Sequence, residues 1–193
     1  MAFPQGINFR ASAGFVTDGA NEDYCLSTTS YPTTSAQGNS IGWEDSIAGL
    51  DRDRNSGIDR RLAGICFVPF GGGTARFRVD LPSSGNYNIR IAAGDAGSGN
   101  HSRFQIKDTD SVVLDGSTDV FLGLEEFVDA SLTTRTSAAD WVTNNAAYSS
   151  ASFATTICRV AIINASSFGA SVIAHFYIES AGGGLALMGQ ICT

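Results

Sequence analysis

The stretch Ala75-Arg76-Phe77-Arg78-Val79-Asp80-Leu81-Pro82-Ser83-Ser84-Gly85-Asn86-Tyr87-Asn88-Ile89-Arg90-Ile91 decides the fold class. Ala75, Phe77 and Val79 alternate with Arg76, Arg78 and Asp80, and Tyr87, Ile89 and Ile91 alternate with Asn88 and Arg90. A period of two gives each strand one apolar face. Leu81 to Gly85 place Pro and Gly between the two segments, so the sequence predicts a β-hairpin.

The pattern extends in both directions. Upstream, Ile65-Cys66-Phe67-Val68 is a short apolar run ended by Pro69-Phe70-Gly71. Downstream, Phe104 and Ile106 alternate with Arg103, Gln105 and Lys107, and Val112-Val113-Leu114 follows. The runs Ile157 to Ile163 and Val172 to Ile178 end in turn-formers and are too short for core helices, so they read as central sandwich strands. Ser27 to Gln37, rich in Ser and Thr, reads as a long surface loop. Ala138 to Ala147 holds at most one helical turn. The expectation is an all-β chain: a single antiparallel β-sandwich of jelly-roll type over residues 1–193, with extended arms at 1–5 and 182–193.

Composition narrows the function. The 193 residues carry a net charge of -7, and only 16% are charged. Lys107 is the single lysine among 12 cations. An acidic chain lacks the clustered cations that phosphate contacts need, which argues against a nucleic-acid partner. No run of 18 or more apolar residues exists, so no membrane helix is expected. The N-terminus, Met1 to Arg10, has neither a basic n-region nor an apolar h-region, so no secretory signal is read and folding in the cytoplasm is expected. Cys25, Cys66, Cys158 and Cys192 then read as free thiols, mostly buried.

Phe77-Arg78-Val79-Asp80-Leu81-Pro82, the small loop, Gly85-Asn86-Tyr87-Asn88-Ile89-Arg90 and the step Gly94-Asp95 resemble the core of the galactose-binding-like and malectin-like β-sandwiches. The Asp-Arg-rich stretch upstream and Ala174 to Glu179 fit the same plan. The resemblance implies a jelly roll of two antiparallel sheets. It also implies membership of a group that is mostly carbohydrate-binding modules, with similar jelly rolls among viral structural proteins.

Several constellations carry chemistry. Asp51, Asp53, Asn55 and Asp59 fall at positions one, three, five and nine of a stretch that begins like a calcium loop. Calcium is the one cofactor the sequence admits. Gly57 and Leu62 then break that pattern, and Arg52, Arg54, Arg60 and Arg61 can neutralise the carboxylates, which makes a salt-bridged loop the first reading. Asp95, Asn100 and His101 lie in a Gly-rich turn and are candidate ligands for sugar hydroxyls; an ordinary polar turn is the competing reading. Trp43 and Trp141 are the candidate stacking platforms, each equally at home in a core. Gly38-Asn39-Ser40-Ile41-Gly42 matches the G-x-S-x-G elbow of esterases, though no helix pattern follows it. Glu125, Glu126 and Asp129 form an acidic cluster that reads first as a solvated strand edge. His175 reads as a sheet-face residue.

From these features the sequence favours a non-enzymatic structural or interaction protein on a virion surface, such as a phage capsid decoration or tail protein. Its expected partners are other virion proteins or copies of itself. A mean hydropathy of +0.03 leaves apolar surface for such assembly. The second reading is a soluble carbohydrate-binding module. A G-x-S-x-G esterase is third.

Overall fold

The computed structural model describes residues 3–10, 22–54, 62–68, 71, 73–123, 126–136, 149–164 and 169–181. These residues form sixteen strands in two sheets. The seven-stranded sheet runs β12 (Thr134–Arg135), β11 (Phe127–Val128), β8 (Gly85–Gly94), β16 (His175–Ser180), β1 (Gln5–Phe9) and β2 (Glu22–Cys25), with β13 (Ser149–Phe153) also paired to β8. The nine-stranded sheet runs β3 (Thr33–Thr34), β4 (Ser40–Trp43), β7 (Gly73–Asp80), β14 (Ile157–Asn164), β9 (Asn100–Asp108), β15 (Ser171–Ile173), β6 (Gly64–Val68) and β5 (Asp51–Asp53). The remaining strand, β10 (Ser111–Leu122), pairs with β9. The architecture is the expected all-β sandwich, antiparallel except where β1 pairs parallel to β2 and where Ser171 meets His101.

The two sheets close on one apolar layer. Phe9 of the first sheet meets Phe77 of the second edge-on at 5.0 Å, and Trp43 meets Phe77 at 5.1 Å. Ile7, Ile89, Ile91, Phe176 and Ile178 face Val79, Phe104, Ile106 and Val160 across the same layer, all buried. The alternation read from the sequence thus places its apolar residues inward, as the pleat requires.

The expected hairpin is not one. β7 lies in the nine-stranded sheet and β8 in the seven-stranded sheet, so Leu81 to Ser84 carry the chain across the end of the sandwich. Leu81 is buried there, and its N–H donates to the Thr156 carbonyl at 2.8 Å. An arch between sheets and a hairpin show the same alternation, because both point one apolar face of each strand at one core.

The run from Val172 to Ile178 is likewise two strands. β15 belongs to one sheet and β16 to the other, with Ala174 at the switch, its N–H bonded to the Ala92 carbonyl at 2.9 Å. The inward parity changes at that point. Ile173 faces the main core before Ala174, whereas Phe176 and Ile178 face it afterwards. Val172 and Ala174 instead join Leu62, Ile65, Ala92 and Phe127 in a second apolar cluster.

Residues 3–5 of the expected N-terminal arm lie against the body. Phe3 packs on Tyr87 at 5.4 Å, and Gln5 is fully buried at the start of β1. The segments 182–193 and 138–147 lie outside the described residues.

Candidate functional site

The connections 26–32 and 44–50 enclose a cleft of about 440 Å³, within the range of small-ligand sites. Its shape follows from a close backbone crossing. The Trp43 N–H donates to the Thr29 carbonyl at 2.8 Å, and the Tyr31 N–H donates to the Trp43 carbonyl at 2.9 Å. Gly42 makes the crossing feasible: its φ is +141°, and a Cβ there would lie 2.5 Å from Ser30 C and Tyr31 N. Ser27 ties the two connections together. Its N–H donates to Asp51 Oδ2 at 2.8 Å, and its Oγ accepts from the Gly49 N–H at 3.0 Å.

Trp43 borders this cleft from the core side. Only 3% of it is exposed, its ring packs against both Phe9 and Phe77, and its Nε1 donates to the Leu26 carbonyl at 3.2 Å. It has no free face, so the expected stacking role does not fall to it. Tyr31 is the half-exposed aromatic of the cleft. Its hydroxyl donates to Asp80 Oδ2 at 2.9 Å, and the Arg78 guanidinium lies 4.3 Å from its ring centroid. Burial and then the Asp80 hydrogen bond push the Tyr31 phenol above its ordinary value.

The two carboxylates of the cleft are committed. Glu44 receives Arg159 Nε at 2.6 Å and Nη2 at 3.0 Å, with Arg78 Nη1 at 3.6 Å. Asp45 receives the Arg76 backbone N–H at 2.9 Å and its Nε and Nη2 at 2.8 Å each. This arrangement also answers the register: Arg78 sits opposite Arg159, and Arg159 opposite Lys107. Like charges directly opposed across strands repel, and Glu44 bridges the first pair. The cleft is also lined by the hydroxyls of Thr28, Ser30 and Ser46, whose side chains bond to nothing among the described residues.

The Arg76 side chain, donating to Asp45, holds that carboxyl below its ordinary range. A depressed folded value stabilises the folded state above the unfolded carboxyl value of about 3.9 and loses that contribution as pH falls through the folded value. The stability difference between the protein and Asp45→Asn is therefore expected to be constant well above the ordinary carboxyl value of about 3.9 and to shrink as pH falls below it. Thermal unfolding of both across that range tests this, and a difference that grows on acidification would contradict it.

The second concavity, of about 210 Å³, gathers Asp95 and Asn100 with Arg52, Arg54, Ser98 and Phe67. Asp95 is 1% exposed and saturated. It accepts from Arg54 Nε at 2.8 Å and Nη2 at 2.5 Å, from the Gly97 N–H at 2.8 Å and from Asn100 Nδ2 at 3.0 Å. It organises the 95–100 turn and has no lone pair left for a sugar hydroxyl. These contacts also hold the Arg54 guanidinium above its usual value, first through the hydrogen bond to Asp95. His101 lies beside the concavity, with its N–H on the Ala170 carbonyl at 3.0 Å and its ring against Gly169. Trp141 lies outside the described residues.

Of the calcium stretch, Asn55 and Asp59 also lie outside the described residues. Asp51 is held by the Ser27 N–H, and Asp53 pairs with the buried Arg10 at 3.3 Å. No group of three or more His, Cys, Asp or Glu among the described residues is placed to hold a metal ion.

The remaining candidates are structural. Ser40 begins β4, paired with Thr34, and does not sit on the sharp strand-to-helix turn that a nucleophile elbow needs. Glu125 is outside the described residues, and Glu126 Oε2 accepts from the Gly123 N–H at 2.7 Å. Asp129 is fully buried, accepts from the Ser131 and Thr133 N–H groups and pairs with Arg135 at 2.7 Å. The segment beside it is no solvated edge, since β11 lies between β8 and β12 with Phe127 and Val128 buried. His175 is buried on β16. Cys25, Cys66 and Cys158 are buried free thiols.

The sequence pattern does not single out Tyr31, Arg52 or Phe67. Tyr31 sits in a Ser/Thr-rich run, and the pair Tyr31-Pro32 is the one signal there that departs from a plain surface loop.

No family model matches the chain, and no curated protein matches it. Solved structures do. The protein YXIM from Bacillus subtilis superposes with a TM-score of 0.52 at 11% identity, over 92% of this chain and 40% of that one. The β-glucuronidase 2 of Bacteroides uniformis superposes with a TM-score of 0.51 at 11% identity, over 92% of this chain and 18% of that one. The chain thus spans less than half the length of either. At such identity the likeness is one of fold. It corrects the expectation of a non-enzymatic protein, because a sandwich of this shape occurs within a glycoside hydrolase and the fold gives no ground for excluding catalysis. Nothing in these comparisons supports the virion role.

Proposed function

We propose that the chain is a glycan-binding β-sandwich whose ligand seats in the cleft between 26–32 and 44–50. One observation carries this reading. An aromatic ring, Tyr31, and the hydroxyls of Thr28, Ser30 and Ser46 share a cleft of about 440 Å³ whose carboxylates are all neutralised by arginine. Rings that present an apolar face and hydroxyls that both donate and accept match the two surfaces of a sugar. The resemblance of Phe77 to Asp95 to galactose-binding-like sandwiches supports the reading, as does the fold shared with part of a β-glucuronidase.

A glycan array on the purified chain, followed by calorimetric titration of the best ligand, tests it. The expected result is binding to one glycan class at micromolar to millimolar Kd. Tyr31→Ala is expected to weaken that binding at least tenfold, about 1.4 kcal/mol, while Tyr31→Phe stays within about threefold. An array without signal, or a Tyr31→Ala variant that binds as the parent does, would overturn the reading.

A further inference from the structure

We infer that the second concavity is a separate site for a carboxylate-bearing sugar, a hexuronate residue, held by Arg52. The inference stands on a different cleft from the one proposed above, so either can fail alone.

β5 is the edge strand of the nine-stranded sheet, and its alternation sorts charge by face. Asp51 and Asp53 turn to one side, where the Ser27 N–H and Arg10 hold them. Arg52 and the adjoining Arg54 turn to the other and line the concavity. Arg54 is neutralised there: its Nε and Nη2 edge grips both oxygens of Asp95. Arg52 has no such carboxylate partner among the described residues. Its Nη1 is anchored on the Gly49 carbonyl at 3.2 Å and the Asp51 carbonyl at 2.5 Å, and its plane lies over the Phe67 ring at 5.1 Å. Its Nε and Nη2 edge, the same edge that Arg54 presents to Asp95, bonds to nothing among the described residues.

That edge is a planar two-donor fork held in place from behind, the geometry that takes a carboxylate in two parallel hydrogen bonds. In a chain of net charge -7, the charged groups lining this concavity are Arg52, Arg54 and Asp95, a local excess of one positive charge. The same concavity is lined by the apolar Ile65, Ala170 and Val172 and by the polar Asn100 and Ser98. A ligand that joins a carboxylate to a ring with an apolar face and hydroxyl edges satisfies all three. A simple carboxylate uses only the fork, and a neutral sugar leaves it unfilled.

The test titrates the full chain with an oligogalacturonate, its methyl ester, acetate and an acidic peptide. The expected order is the oligogalacturonate first, with the methyl ester at least tenfold weaker and binding that falls as salt rises. Arg52→Ala is expected to lower oligogalacturonate affinity at least tenfold. Arg52→Lys, which keeps the charge but not the fork, should recover only part of it. Both are expected to keep the parent melting temperature, because Arg52 is exposed, and Tyr31→Ala is expected to leave oligogalacturonate binding unchanged. Failure of the protein to bind oligogalacturonate, equal binding of its methyl ester, full affinity in Arg52→Ala, or stronger binding of the acidic peptide would each overturn the proposal.

Discussion

Asp95→Ala is expected to lower the stability of the protein by about 3 kcal/mol, roughly 6–12 °C in melting temperature for a chain of this size. The Asp95 side chain is fully buried, and four hydrogen bonds converge on it from three residues. Removing one partner of a buried ion pair costs more than the pair contributes net, because the surviving charge and donors lose a partner they cannot replace. Here the survivors are the Arg54 guanidinium, the Gly97 N–H and Asn100 Nδ2. The figure sits at the low end for buried pairs because the Arg54 side chain is 28% exposed and can turn to water. Asp95→Asn should fall between, keeping the shape but forcing an amide N–H against a donor. Thermal unfolding measures the loss, and hydrogen exchange should place it in the 95–100 turn. A shift below about 2 °C would mean that the turn is held by other contacts.

Asp95 also shows how far the sequence could be read. It marks a special turn in the pattern of Gly94 to His101, and that turn exists. What the pattern cannot show is the partner, since Arg54 lies 41 residues away and reads in the sequence as neutralising the carboxylates of its own loop. The same limit applies to Asp53, whose ion pair is Arg10, and to Glu44, whose strongest partner Arg159 is 115 residues distant. Local alternation reports which face a side chain takes, and it placed Phe77, Val79, Ile89 and Ile91 inward correctly. It is silent on which sheet a strand joins. For that reason the arch at Leu81 reads as a hairpin, and the parity change at Ala174 is invisible in a continuous apolar run. Trp43 illustrates the other ambiguity. An indole serves a core or a sugar equally well, and only its packing against Phe9 and Phe77 decides for the core.

Gly42→Ala is expected to cost about 3 kcal/mol or more and to damage the cleft with the fold. Two effects combine at this residue. A φ of +141° is strained for any residue with a Cβ, at about 1–3 kcal/mol. The added carbon would also lie 2.5 Å from Ser30 C and Tyr31 N and 2.7 Å from Ser30 O. Those are backbone atoms and cannot rotate aside, so the crossing itself must open. Opening it breaks the bond from the Tyr31 N–H to the Trp43 carbonyl and moves the ring proposed to meet the sugar. Gly38→Ala is the matched control. Gly38 also has positive φ, at +83°, but nothing lies within 4 Å of its added carbon, so only backbone strain of about 1 kcal/mol applies. The melting temperature should fall by roughly 10 °C in Gly42→Ala and by about 3 °C in Gly38→Ala. Glycan affinity measured well below both transitions should drop only in the first. Equal losses in the two variants would show that strain alone acts at Gly42, and intact glycan binding in Gly42→Ala would show that the 29–31 crossing does not shape the binding cleft.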